Sequence, residues 1–263
     1  MKTAYKYHSL DNDFLIIDGC DDTTILKALT PTTVQHLCHR RRGIGADGVL
    51  VITGQSGNTF DVHVFNSDGS DGGRCLNGAR CLTCYLATEK GAPSPLSIQM
   101  NGTTTRCWHD SENVKLEVAS TTEIQRHSIN IEGVALSGYA LEIGNPHFVI
   151  DKPTRPSWLS QHGPTIERSG LFPHGTNIEF FWPGSGSEAY NLLVYERGCA
   201  VTPACGTGAA ATMMVISQIH GIDAGKHIRL SMPGGDIITY LSCDGNVIQE
   251  ACALQSFVAK VSL

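Results

Sequence analysis

Apolar residues fall along this chain in short bursts. Phe14-Leu15-Ile16-Ile17 closes on Asp18-Gly19, which predicts a strand followed by a turn. Residues 48–52 and 60–65 predict two more strands, the second alternating between apolar and polar positions. Residues 177–182 and 191–195 predict a similar pair later in the chain. Thr30-Pro31-Thr32-Thr33 ahead of residues 34–38 reads as a helix start with proline in its first turn. Two further helices are predicted directly after Cys75 and after Cys205, ending near Gly91 and Gly221. Glycine, proline and serine concentrate at 53–58, 153–164 and 183–187, which predicts loops there. Strands dominate throughout.

The pattern repeats. Asn12-Asp13-Phe14 resembles Asn145-Pro146-His147-Phe148, and Gly45-Ala46-Asp47 resembles Gly175-Thr176-Asn177. Cys75-Leu76-Asn77-Gly78-Ala79 resembles Cys205-Gly206-Thr207-Gly208-Ala209, and Met100-Asn101-Gly102 resembles Met232-Pro233-Gly234. Four matches in one order, each about 130 positions apart, point to a duplication. The expected domains are residues 1–120 with Cys75 and residues 121–263 with Cys205, the last strand returning to the amino-terminal half.

Composition narrows the function. The chain has 263 residues, 41% of them hydrophobic, enough for a substantial core. A net charge of -6 disfavours a nucleic-acid partner, which needs clustered Lys and Arg. The amino-terminal stretch lacks the apolar core of a secretory signal, and no segment reaches the ~18 apolar residues of a membrane span. No membrane partner and a cytoplasmic location are therefore expected. Ten cysteines in a chain of this kind read as free thiols, most of them small buried hydrophobes. Cys81-Leu82-Thr83-Cys84 lies inside a predicted helix and has no second pair at zinc spacing, so it reads as structural and no metal is expected.

Cys75 and Cys205 stand apart because they recur. Each opens a helix rich in small residues, where backbone can approach a ligand closely. Free N–H groups at a helix start suit a carboxylate, or the enolate-like charge left when its α-proton departs. The same helix end favours the thiolate. Two such groups on opposite faces of one carbon would invert it: one thiolate takes a proton and the other thiol gives one.

Together these segments resemble the diaminopimelate epimerases, within the wider proline racemase group. The resemblance rests on residues 8–18, 41–50, 65–81, 144–150, 175–180, 195–198 and 204–211. It implies an α+β fold of two pseudo-symmetric homologous halves. Each would be a mainly antiparallel sheet wrapped around a central helix, with the active site in the cleft between them. It implies interconversion of LL- and meso-diaminopimelate in lysine and peptidoglycan precursor synthesis, with no cofactor. Cys75 and Cys205 would be the acid and base. Asn12, Asn66, Asn145, Asn177, Glu196 and Arg197 would hold the non-reacting end of the substrate, Arg197 on a carboxylate and Glu196 on an ammonium. Backbone N–H groups around Leu76-Asn77 and Gly206-Thr207 would hold the reacting carboxylate, with His147 in support. The expected partners are a small amino acid and, as one option, a second copy of the chain in a homodimer. The chain departs from the family at Leu76, where glycine is usual, and at Ala200 and Val201, where the family reads Gly-Glu. Ser9 and Asp11 also replace glycines. Two alternatives remain: a racemase of another amino acid, and a weakly active, redox-sensitive relative that binds diaminopimelate.

Overall fold

The fold, taken from a computed structural model, is described for all residues except 23, 121 and 122. It is sheet-dominated α+β and divides into two compact units, Met1–Leu116 with Ala251–Leu263, and Glu117–Glu250.

In the first unit, Lys2–Ser9 (β1) and Asn12–Asp18 (β2) pair antiparallel. Helices Ile25–Ala28 (α1) and Pro31–Cys38 (α2) then carry the chain to Gly48–Ser56 (β3), which lies parallel to β2. Thr59–Asn66 (β4) returns antiparallel to β3. Leu76–Lys90 (α3) crosses to Leu96–Met100 (β5), parallel to β4, and Thr103–Asp110 (β6) turns back along β5. Asn113–Val118 (β7) leads out of this unit.

In the second unit, Gln125–Ile131 (β8), Val134–Glu142 (β9) and Pro146–Asp151 (β10) form an antiparallel run. Pro156–Glu167 (α4) crosses to Asn177–Pro183 (β11), parallel to β10. Ala189–Glu196 (β12) returns antiparallel, and the short Ala200–Thr202 (β13) folds back on it. Gly206–His220 (α5) crosses to Ile228–Met232 (β14), parallel to β12, before Gly235–Leu241 (β15) and Val247–Cys252 (β16) close the run antiparallel. The last strand, Leu254–Val261 (β17), pairs antiparallel with β1 in the first unit.

A seven-strand ladder therefore occurs in both units, with an eighth strand added in the second. The order is β17-β1-β2-β3-β4-β5-β6 in one and β8-β9-β10-β11-β12-β14-β15-β16 in the other. Each has two parallel steps, and each parallel step is bridged by a helical crossover, as parallel strands require. Within each unit one helix is enclosed. All of residues 76–86 in α3 are buried, and α3 packs on β1, β2, β5, β6 and β17.

Two-sided burial explains the unbroken apolar runs. On one face of β2 and β3, Leu15, Ile17, Val49 and Val51 pack with Ile25, Leu29, Val34 and Leu37 of the α1–α2 layer. The other face, with Ile16 and Leu50, lies towards α3, and a Cβ at Gly78 would sit 3.1 Å from a Leu50 methyl. Each such side chain contributes roughly 1.5–3 kcal/mol by leaving water. In β11 the division is the same: Ile178 and Phe180 pack with Leu159 and Ile166 of α4, while Glu179 lies against Gly208 of α5.

The expected loop at 153–164 is instead largely α4. Pro156 occupies the first helical position, where no N–H is needed, and Pro164 forgoes a bond only near the end. Gly163 is small because the Tyr195 ring lies where a side chain would go. The loop expected at 53–58 shrinks to a turn at Gly57-Asn58, because β3 runs on to Ser56. Among the described residues, no helix is long and apolar enough to cross a membrane.

Candidate active site

Cys75 is the N-cap of α3, with φ −131° and ψ 112°, and the N–H of Gly78 donates to its sulfur at 3.3 Å. Asn12, at the start of β2, brings its carbonyl to 4.0 Å from the Cys75 sulfur and accepts from the Asn77 amide at 3.3 Å. Buried Arg80 fixes Asn77 in turn, donating to its carbonyl at 2.7 Å. On its other side the Asn12 amide donates to Asp47 at 3.0 Å. Asp47 belongs to a charged knot. Arg40 grips both oxygens of Asp13 at 2.9 Å and one of Asp47 at 2.6 Å, and Lys6 reaches Asp13 at 2.7 Å. Burial works against ionisation of Asp13, but Arg40 and Lys6 outweigh it and hold the carboxyl well below its ordinary range. Leu76 is buried at the first helical position. Asn66 is exposed at the end of β4, where its amide donates to Ser70 at 3.0 Å and to the Asp71 carbonyl at 3.4 Å.

Cys205 repeats the geometry in the second unit. It is the N-cap of α5, with φ −129° and ψ 117°, and the Gly208 N–H donates to its sulfur at 3.4 Å. The Thr207 hydroxyl also lies 3.4 Å from the sulfur. Gln249 holds the Gly206 carbonyl at 2.7 Å, which ties down the first turn. Glu196, at the end of β12, accepts from the Thr202 hydroxyl at 2.6 Å and is hydrogen-bonded by the Cys205 thiol. Burial raises the Glu196 carboxyl above its ordinary value, and nearby Glu179 adds to that, against the Thr202 and Cys205 bonds. Burial likewise pushes the Cys205 thiol far up, with Glu196 and Glu179 reinforcing it and Thr207 and the Gly208 N–H opposing it. The helix start alone predicts a thiolate at this position. In the structure, burial and two carboxylates act against it and favour the thiol form of Cys205.

His147 is fully buried on β10. Its Nδ1 lies 2.7 Å from Glu179 Oε1 and its Nε2 lies 3.1 Å from Asn145 Oδ1, so one imidazole links these two residues. Asn177 accepts the Arg197 backbone N–H at 2.9 Å and donates to the Pro146 carbonyl at 3.3 Å. Arg197 is exposed, and its guanidinium donates to the His174 carbonyl at 3.0 Å.

The residues singled out in the sequence thus fall into two clusters, one in each unit. Cys75, Leu76, Asn77 and Asn12 cluster in the first unit, with Asn66 on a nearby strand end of the same sheet. Cys205, Gly206, Thr207 and Glu196 cluster in the second, as do His147, Asn145, Asn177 and Arg197. Glu179, Arg80, Thr202 and the knot of Lys6, Asp13, Arg40 and Asp47 escaped the sequence reading. Glu179 left one signal: an acid in an otherwise apolar run, Ile178-Glu179-Phe180-Phe181. Among the described residues, no group of three or more His, Cys, Asp or Glu side chains is placed to hold a metal.

The family model described as "Diaminopimelate epimerase" matches residues 4–123 and 139–252. The "Diaminopimelate epimerase 1" of a Nostoc species is 31% identical over 97% of the chain and 98% of its own length. A "Diaminopimelate epimerase" of a Synechocystis species is 33% identical over 92% of the chain and 91% of its own length. Among solved structures, a probable proline racemase from Agrobacterium radiobacter superposes with a TM-score of 0.71 at 13% identity, covering 100% of the chain and 93% of its own. A hydroxyproline epimerase from Agrobacterium vitis superposes with a TM-score of 0.69 at 12% identity, covering 98% and 91%. At those identities the two structures speak to the fold alone.

Proposed function

Because the chain belongs to the diaminopimelate epimerase family and is an isomerase of that class, we propose that it interconverts LL- and meso-diaminopimelate with two thiols, Cys75 and Cys205. The observation that carries this reading is the recurrence of one cysteine geometry. In both units the sulfur caps a 15-residue helix, with backbone angles agreeing within a few degrees.

The chemistry requires one sulfur on each face of the substrate's α-carbon. The thiolate on one side takes the α-proton and becomes a thiol. The electron pair of the broken C–H bond moves into the carboxylate as an enediolate, and the N–H groups at a helix start stabilise that charge. The thiol on the other face then gives its proton to the carbon and becomes the thiolate. In the reverse direction the two sulfurs exchange roles, so atoms and charge balance in both. Asn12, braced by Asp47, orients an acceptor beside Cys75. Glu196 hydrogen-bonds Cys205 and can take its proton when that sulfur must act as base. Arg197, whose guanidinium meets only a neutral carbonyl among the described residues, is suited to a distal carboxylate. The reading includes a place in lysine and peptidoglycan precursor synthesis and a cytoplasmic setting.

The test is incubation of LL-diaminopimelate with the protein in deuterated water. Meso product with deuterium at the α-carbon is expected. Cys75→Ala and Cys205→Ala should each lower the rate by at least about a thousandfold, since acid and base are both obligatory. Full turnover in either variant would sink the two-thiol mechanism.

A further inference from the structure

The two cysteine sites share a backbone but differ in what lies beneath it. In the first unit, the third residue of α3 is Gly78, and the side chain pressed against it is Leu50 of β3. In the second unit, the third residue of α5 is Gly208, and the side chain pressed against it is Glu179 of β11. A Cβ on Gly208 would sit 2.8 Å from Glu179 Oε1, so only glycine lets the carboxylate come this close. The neighbouring strands differ in the same way. Gly48 of β3 is registered with Phe14 on β2, and Asn177 of β11 with His147 on β10. Where the first unit buries Phe14 and Leu50, the second buries His147 and Glu179.

Glu179 is fully buried, and its ion-pair geometry with His147 uses Oε1 alone. Its other oxygen, Oε2, is buried with no hydrogen-bond partner among the described residues. Such an oxygen is costly to keep unless its charge serves a neighbour. The neighbour is one glycine away: the Gly208 N–H donates to the Cys205 sulfur.

We propose, resting on the two-thiol reading above, that Glu179 is a positioning residue: from beneath Gly208 it holds Cys205 as the proton-bearing partner in the resting protein. A negative charge near a second acid disfavours ionisation of that acid, and the effect is largest where water is excluded. The groups facing Cys205 are Glu196 from β12, Glu179 from β11, and the Thr207 hydroxyl and Gly208 N–H from α5, with His147 of β10 behind Glu179. Two are carboxylates, and both act in the same direction. The first unit has Leu50 in the place of Glu179, so the side chain beneath Gly78 is apolar. A chain with two thiols must begin each cycle with one protonated and one not. Glu179 would fix which.

The test is a titration of Cys205 itself. Protein labelled with carbon-13 at the cysteine β-carbons is followed by NMR as a function of pH, with the Cys205 signal assigned by its loss in Cys205→Ser. Glu179→Gln keeps an acceptor for His147 and removes the charge. It is expected to lower the Cys205 midpoint by about one pH unit, a tenfold rise in thiolate at a given pH. Glu179→Leu combined with His147→Phe installs the pair that the first unit already buries, and serves if Gln is not tolerated. It should lower the midpoint likewise. A purely structural role for Glu179 would lower the melting temperature and leave the midpoint where it was, and an unmoved midpoint overturns the proposal. The titration needs no substrate. An unmoved midpoint beside normal deuterium exchange rejects this inference and leaves the epimerase reading standing. A lowered midpoint in a protein that exchanges nothing supports the inference and rejects that reading.

Discussion

Ala200 has φ +74°, in the left-handed region that costs an L-residue with a Cβ about 1–2 kcal/mol. The turn before it explains the demand. Cys199 donates to the Glu196 carbonyl at 2.9 Å, Gly198 takes φ +75°, and Ala200 then rejoins β12 opposite Glu196. This is a position where the resembled family has glycine, and the backbone still has the shape that glycine permits. Ala200→Gly is expected to stabilise the protein by about 0.5–1 kcal/mol once the extra freedom of the unfolded chain is deducted. Thermal melting at fixed pH checks this, and a lower melting temperature would contradict it. At this scale the sequence was readable where a residue recurs in context. Cys75 and Cys205 could be singled out because each opens a helix of small residues at the same point of a repeat. Glu179 could not, because one acid in an apolar strand reads as a solvent-facing position until α5 is seen to cover that face.

Between elements, the knot around Asp13 ties three parts of the first unit together. Lys6 comes from β1, Asp13 from β2, and Arg40 and Asp47 from the link between α2 and β3. By holding the Asn12 amide, the knot also sets the Asn12 carbonyl beside Cys75. The Asp13 carboxyl has a lower pKa folded than unfolded, so the folded state binds its proton less readily. Its stabilising contribution is therefore complete above the unfolded carboxylate value of about 4 and fades as pH falls below it. Asp13→Asn should cost about 1–3 kcal/mol at pH 7, mainly by leaving the buried Lys6 ammonium short of a partner. The gap between variant and parent should narrow steadily as pH falls below about 4 and should not have closed by about pH 3, because the folded carboxyl holds its charge well below that. Denaturant melts at the two pH values measure it, and a gap independent of pH would remove the electrostatic account. Strands were legible at this scale because apolar runs and turn pairs bound them. Helix α4 was not, since prolines and a glycine at 156, 163 and 164 look like breakers. They are tolerated for separate reasons: a first-turn position, a tight contact with Tyr195, and a place near the helix end.

For the chain as a whole, the repeat in the sequence and the repeated ladder of strands have the same period, and one difference between the ladders concerns the strand at their outer edge. The strand flanking β9 is β8, its neighbour in sequence, whereas the strand flanking β1 is β17, from the far end of the chain. The first unit is thus completed by a strand that follows the whole of the second unit in sequence. A side chain reinforces that closure: Lys260 donates to the Thr3 hydroxyl at 2.6 Å. Without β17, the outer edge of β1 loses its ladder partner, and unpaired edge backbone exchanges with solvent and invites association. A chain ending after Ala253 should show this locally. Hydrogen exchange read by mass spectrometry is expected to lose protection along β1, on the amides that face residues 254–261, and to keep it in β11 and β12, which pair with each other. The melting temperature should fall by several degrees, because the loss removes a full strand's hydrogen bonds at about 1 kcal/mol each. Unchanged protection in β1 would mean that β17 adds nothing to the first unit. Protection lost equally in β11 and β12 would mean that the two units do not respond as separate compact bodies.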